Sequence, residues 1–210
     1  MRNDLVATIC SLAAGQHGAV GALQLRQLGV SARAERRAVD AGWLRPARPG
    51  VLALTSTPPT WRQRLQAGLL TLEGRGWVSH DAAAHLHDLH GSVDTVEFTV
   101  ARDDRGRVGR RAVHTTGLVV PGDVITVDGL ACSSVERTLL DLATLGIPFH
   151  RLRSILVDAV RSRRTDVDAL SARLTTLRGQ GRPGVRQVQR LLAELATEVP
   201  AGGAVGRTGR

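Results

Sequence analysis

Three arginines, Arg33, Arg36 and Arg37, lie within five positions of the chain, and their spacing is that of one helix face. On an α-helix, residues at i, i+3 and i+4 are neighbours, so these three side chains would project together. A guanidinium group offers a planar fork that makes two hydrogen bonds to a phosphate, or to the O6 and N7 atoms of guanine. Arg36 and Arg37 are therefore the strongest candidates for contact with a polyanion, although a charged helix face can also be merely solvated.

The elements that would position these arginines can be predicted from the first 55 residues. Apolar spacing and glycine stops predict helices over about 3–14, 22–28 and 32–41, with Ser31 as the N-cap of the third. Two short strands, 43–44 and 51–54, flank a turn in the letters RPARPG, which places Arg45 and Arg48 at the tip of a hairpin. This order of elements is typical of a winged helix-turn-helix, whose third helix enters the DNA major groove.

Composition favours the same class of partner. The chain has 210 residues, a net charge of +9 and no lysine, so all 28 basic side chains are arginine. Residues 1–55 contain seven arginines and only three acidic residues. Such a basic excess favours an acidic partner, and the scarcity of aromatic residues disfavours single-stranded nucleic acid, which is bound by base stacking. Duplex DNA is the favoured partner, with a winged helix that docks on a protein as the alternative.

The letters STPPT at 56–60 predict a boundary, because two prolines in a Ser/Thr run disfavour helix. We therefore expect an α/β (α+β) protein: a winged helix-turn-helix over 1–55, a mixed α/β domain over 61–195 that ends in helices, and a disordered tail over 196–210. The predicted helices of the second domain are 61–74, 81–89, 135–145, 148–161, 166–178 and 184–195. The predicted strands are 93–100, 112–115 and 124–130, the last of which turns at Asp128 and Gly129.

Location and cysteine chemistry can also be predicted. No apolar run approaches the length of about 18 residues that a membrane-spanning helix needs. Cys10 and Cys132 are too far apart in the sequence for a disulfide framework or a zinc motif, so we expect two buried thiols. The chain is expected to be cytoplasmic and nucleoid-associated, with no membrane partner and no small-molecule substrate.

Candidate catalytic groups do not combine into a recognisable site. Asp94 and Glu97 are three apart on a predicted strand, so they point to opposite faces and cannot hold one ion together. The letters at 91–92 that precede Asp94 hint at a nucleotidyltransferase signature, but the carboxylate spacing does not fit it. The histidines 80, 85, 87 and 90 are interpreted as one helix cap and solvent-facing imidazoles. We expect no enzyme activity, no catalytic residues, no cofactor and no metal.

Two features of the last third are expected to be structural or to bind a partner. Arg137 and Asp141, at i and i+4 of a predicted helix, would pair for a few tenths of a kcal/mol. A second basic patch is equally consistent with an extended DNA footprint, an acidic partner surface or a solvated face. It comprises Arg151, Arg153, Arg161, Arg163 and Arg164.

Three segments together resemble AbiEi-type antitoxins, the transcriptional regulators of type IV toxin–antitoxin systems, in their actinobacterial branch. They are RPGVLALT at 48–55, WVSHDAAAHLHDLHG at 77–91 and ITVDGLACSSVERTLLDLA at 125–143. The resemblance implies that a winged domain represses the system's own promoter and that an α/β domain counteracts a nucleotidyltransferase-like toxin. It assigns no residue to contact with the toxin. It implies a DNA-binding role for six positions. These are Ser31, Arg33, Arg36, Arg37, Arg45 and Arg48.

Many similar proteins continue after a segment like GRPGVRQVQRLLAE into a nuclease domain that resembles very-short-patch repair endonucleases. Here that segment occupies 181–194, close to the end of the chain, so we expect this domain to be lacking. Two alternatives to a repressor therefore stay open. The chain is the DNA-binding part of an endonuclease whose catalytic domain is absent, or it is a winged-helix adaptor that binds only proteins.

Overall fold

A computed structural model describes residues 3–89, 94–108, 113–176 and 184–198. The fold is mixed α/β, as the sequence predicts. The chain divides into two compact units, Met1–Ser134 and Val135–Arg210. The predicted boundary at 56–60 therefore lies inside the first unit. His90, the segment 91–92 and the predicted tail beyond residue 198 lie outside the described residues.

The first unit begins with three helices and a small sheet. The helices are α1 (Asn3–Ala14), α2 (Ala22–Gln27) and α3 (Ala32–Asp40), and the strands are β1 (Ala19–Gly21), β2 (Leu44–Arg48) and β3 (Val51–Leu54). Strand β3 lies between β1 and β2 and is antiparallel to both. The predicted helices are confirmed to within about one residue. The predicted turn was too long, because the letters RPAR belong to β2 and only Pro49 and Gly50 turn the chain.

Apolar residues spaced along α1, α2 and α3 build the core that holds α3 in place. Ile9 and Leu25 are fully buried, and Val30, Ala38 and Leu44 pack with them. Burial of a side chain of this size stabilises the fold by roughly 1.5–3 kcal/mol relative to exposure. The small Ala38 lets α3 approach this core closely while its other face stays in solvent.

The rest of the first unit is a five-stranded sheet with two helices. The helices are α4 (Trp61–Thr71) and α5 (His80–Leu86), and the strands are β4 (Gly76–Val78), β5 (Phe98–Ala101), β6 (His114–Thr116), β7 (Val124–Val127) and β8 (Leu130–Ser133), with one turn of 3-10 helix at Arg102–Asp104. The strand order is β6-β5-β4-β8-β7, in which β4 is parallel to β8, β5 is parallel to β6, and the other pairs are antiparallel. Thr60 caps α4 by accepting a hydrogen bond from the Gln63 amide at 3.1 Å.

Helix α4 meets the five-stranded sheet at a glycine. A Cβ atom on Gly68 would lie only 2.1 Å from Cζ of Phe98, whose ring is buried. We predict that Gly68→Ala destabilises the protein by about 1–3 kcal/mol, because overpacking the site outweighs the better helix propensity of alanine. Urea denaturation measures this change. Gly15→Ala is the matched control, since its Cβ would meet only backbone oxygens at 3.7 Å or more; equal stability of the two variants would contradict the prediction.

The second unit is helical in its described part. It contains α6 (Val135–Thr144), α7 (Phe149–Arg161), α8 (Val167–Thr176) and α9 (Val185–Glu198), so α9 extends into the segment predicted as a disordered tail. Arg137 and Asp141 form the predicted pair, with Nε 2.8 Å from Oδ1. The pair is buried, which the i, i+4 spacing alone does not indicate. None of the helices in the described ranges combines the length and apolar character that crossing a bilayer requires.

Candidate nucleic-acid interface

The start of α3 is built by a short turn and a capping side chain. Leu28 and Gly29 end α2, and Gly29 adopts a φ of +80°, a left-handed conformation that favours glycine. The Val30 amide then donates to the Leu25 carbonyl at 2.9 Å. Ser31 follows as N-cap, and its hydroxyl oxygen accepts a hydrogen bond from the Ala34 amide at 3.2 Å, so the predicted cap is confirmed.

The outer face of α3 presents the three predicted arginines to solvent. Arg33, Arg36 and Arg37 are exposed, and a turn of 100° per residue places them within an arc of about 100°. Among the described residues they make neither a hydrogen bond nor an ion pair. Their guanidinium groups are therefore available to an external anion without the loss of an internal contact.

The hairpin carries a further arginine beside α3. Arg48 ends β2 next to the turn at Pro49 and Gly50, and the strand pairing shifts between Pro46 and Arg48. A groove of about 470 Å³ lies between Glu35 of α3 and the residues around this turn. Arg48 is exposed at the tip, as predicted, so α3 and the hairpin tip present positive charge on two neighbouring elements.

Arg45 lies elsewhere than predicted. It pairs with Ala53 in the body of the hairpin, and its Nη2 atom donates to Oε1 of Gln63 at 2.6 Å and to the Thr57 carbonyl at 3.4 Å. Because β2 includes the letters RPAR, its first arginine is three residues from the tip. The placement of Arg45 at the wing tip was therefore wrong, and its guanidinium joins the hairpin to α4. Its role in DNA binding stays a prediction.

The cap of α3 supports a prediction on stability. Ser31→Ala removes the acceptor of the Ala34 amide, which should cost about 1 kcal/mol of unfolding free energy. Thermal denaturation followed by circular dichroism measures the loss. Ser31→Asp is the matched control and should retain wild-type stability, because aspartate caps a helix as well as serine. If alanine and aspartate behave alike, the hydroxyl is not the stabilising cap.

The second basic patch is less compact than predicted. Arg151 and Arg161 lie ten residues apart on α7, which corresponds to about 15 Å of helix axis. Arg153 lies 3.9 Å from a carboxylate oxygen of Glu194, whereas Arg161, Arg163 and Arg164 are exposed together at the end of α7. The five arginines therefore form two groups along the helix, because the helical rise separates residues that are near in sequence.

The sequence pattern does not indicate a polar cluster that lies beside β4, β5 and β6, with Ser79, His80 and Thr99 buried and Glu97 and His114 partly exposed. The rings of His80 and His114 stack with centroids 3.7 Å apart, and Nε2 of His114 lies 3.5 Å from Oε1 of Glu97. The hydroxyl of Ser79 lies 2.9 Å from Nδ1 of His80 and accepts a hydrogen bond from Thr99. His80 has a φ of +54°, which is strained for a residue with a side chain.

The interpretation of these histidines was wrong at two positions: His87 is buried rather than solvent-facing, and His80 is the first residue of α5 rather than its cap, since the N-cap position is Ser79. His80 and His87 are buried, and Nε2 of His87 lies 2.7 Å from the Ser133 carbonyl. Parallel pairing of β4 with β8 brings these distant segments together, which helical periodicity alone cannot show. Burial raises the pKa of Glu97, but hydrogen bonds from His114 and the Asp81 amide, with the charges of His80 and His114, hold it below its ordinary value.

The described residues do not form a group of metal ligands. Within residues 3–89, 94–108, 113–176 and 184–198, no three His, Cys, Asp or Glu side chains are arranged to hold a metal ion. Asp94 is exposed, whereas Glu97 contacts His114 and accepts a hydrogen bond from the Asp81 amide.

Burial raises the pKa of the Cys132 thiol to about 12, so this thiol stays protonated and unreactive at neutral pH. Cys10 is only partly buried, contrary to prediction.

No family model matches this chain, and no curated protein matches it at a significant level.

Proposed function

We propose that residues 1–55 form a winged helix-turn-helix that binds duplex DNA. The observation that carries the proposal is the row of exposed arginines on α3, Arg33, Arg36 and Arg37, which have no internal partner among the described residues. A helix whose inner face is small and apolar and whose outer face carries uncommitted guanidinium groups can dock on its own core and reach a groove. The proposal is one of binding, without catalysis.

Each element has a defined role in this proposal. Helix α2 and the turn at Gly29 set the angle of α3, whose arginines contact base edges or phosphates in the major groove. Arg48 at the hairpin tip contacts a flanking phosphate or the minor groove. Arg45 supports the hairpin through Gln63 and contributes only indirectly.

We further propose that the protein is an antitoxin-like repressor of its own promoter, cytoplasmic and associated with the nucleoid. This step is supported by the resemblance of its three segments to AbiEi-type antitoxins. The partner would be a nucleotidyltransferase-like toxin encoded nearby. Co-expression of the two proteins, followed by affinity purification through a tag on the toxin, tests the partnership: recovery of the complex supports it, and separate elution of both proteins contradicts it.

Fluorescence anisotropy with the duplex upstream of the protein's own gene tests the DNA proposal. A scrambled duplex of the same composition is the matched control, and both are titrated at about 50 and 200 mM salt, where phosphate contacts weaken measurably. We expect tighter binding to the upstream duplex and a steep loss of affinity with salt. No binding at low salt would refute the DNA proposal and favour a protein-docking winged helix.

A further inference from the structure

A cavity of about 630 Å³ lies within the first unit, away from the arginine face of α3. Its walls come from the start of α2, the hairpin turn, the end of α4 and the β7–β8 turn. Leu23, Leu69 and Leu70 provide apolar surface, and several glycines expose backbone atoms in the cavity wall. This volume falls in the range of about 300–1,000 Å³ that is typical of small-molecule sites.

A largely buried glutamine, Gln66, lines this cavity. It belongs to α4 and is 7% exposed, and no described residue forms a hydrogen bond with its side chain. Its amide atoms are also not among the unpartnered polar atoms that are sealed from solvent, so they reach accessible space, and Gln66 lies in the cavity wall. Because solvent reaches these atoms, they can bind water in the empty cavity, and a ligand atom that pairs with them would take over that hydrogen bond.

The rim of the cavity carries one guanidinium group that no described acidic side chain neutralises. Arg26 of α2 lines it, is exposed, and makes no ion pair within the part of the chain that the structure describes. The acidic side chain at the rim, Glu73, lies 2.9 Å from the guanidinium of Arg75, which balances its charge. A guanidinium beside an apolar cavity favours a ligand that combines a carboxylate with an apolar body.

We propose that this cavity binds a small amphipathic carboxylate. The carboxylate pairs with Arg26 at the rim, the apolar body packs against Leu69 and Leu70, and a polar atom of the body forms a hydrogen bond with the Gln66 amide. This site is separate from the arginines of α3, so its occupation requires no DNA. The proposal therefore stands or falls independently of the proposed function.

Indole-3-acetate is a suitable probe, because it carries a carboxylate, a planar apolar body and one N–H group. Isothermal titration of the full chain with this probe, without DNA, should give saturable binding of one molecule per chain. 3-Methylindole lacks the carboxylate and should bind at least about tenfold more weakly, since a charge-assisted hydrogen bond is lost. Absence of saturable binding, or equal affinity for the two probes, would overturn the proposal.

Variants locate the bound probe. Leu23→Trp fills the mouth of the cavity and should abolish binding, whereas Leu145→Trp, at a leucine of similar exposure that does not line it, should leave binding unchanged. Gln66→Leu should weaken binding about fivefold, and Arg26→Ala about tenfold, with the native circular dichroism spectrum retained. If Leu23→Trp and Arg26→Ala both bind indole-3-acetate as tightly as the wild type, the cavity is not the site.

Discussion

The double variant Arg36→Ala/Arg37→Ala is expected to lose at least about 30-fold in affinity for the upstream duplex, because each well-formed guanidinium contact contributes roughly 1–3 kcal/mol. Both side chains are exposed and make no hydrogen bond or ion pair with a described residue, so the fold and the unfolding free energy should not change. Fluorescence anisotropy measures the affinity, and urea denaturation checks the stability. A double variant that binds as tightly as the wild type would refute the assignment of α3 as the recognition helix.

The salt dependence separates the two kinds of contact that these arginines can make. If both bind phosphates, the slope of log affinity against log salt should fall by about two units and the preference over scrambled duplex should persist. If they read bases, the preference itself should disappear. Arg102→Ala/Arg107→Ala is the matched control, since it removes the same charge from exposed positions beyond β5 and should change affinity only slightly.

The buried ion pair of α6 should give the largest change in stability. Arg137→Met is expected to lower the unfolding free energy by about 3–5 kcal/mol, because it leaves a buried carboxylate without its guanidinium. The side chains of Arg137 and Asp141 are only 1% and 6% exposed, and Nε lies 2.8 Å from Oδ1. Urea denaturation followed by far-ultraviolet circular dichroism measures the loss.

Two further variants separate burial from charge pairing. Arg190→Met breaks an ion pair of the same i, i+4 spacing whose side chains are 71% and 35% exposed, and should cost about 1 kcal/mol or less. The double variant Arg137→Met/Asp141→Leu removes both buried charges and should recover most of the stability that Arg137→Met loses. The account of this pair would be wrong if Arg137→Met were no more destabilising than Arg190→Met.

Local signals predicted the elements around α3 closely. The helix over 32–41 is observed as Ala32–Asp40 with Ser31 as its cap, because a cap and a helical repeat are encoded within a few neighbouring residues. The turn at Asp128 and Gly129 was predicted for the same reason, since both adopt a positive φ between β7 and β8. Strands β1, β4 and β8 were missed, because their pairing with distant strands leaves no distinct pattern in the local sequence.

The contacts of polar side chains were harder to predict than the elements that carry them. Arg45 and Gln63 are 18 residues apart, and their contact depends on α4 lying against the hairpin. His80 and His114 are 34 residues apart, and they stack because β4 and β6 both flank β5. The sequence pattern around each of these residues indicates only a helix or strand face, so it does not show which face a distant segment covers.

The sequence by itself determined the mixed α/β class, the capped helix that carries Arg33, Arg36 and Arg37, and the i, i+4 pairing of Arg137 with Asp141. These features depend on residues within one or two turns of each other, where spacing alone fixes the geometry. Only the tertiary structure decided that this pair is buried and that Gln66 lines a cavity. Burial and cavities depend on segments that are distant in sequence, and packing alone brings those segments together.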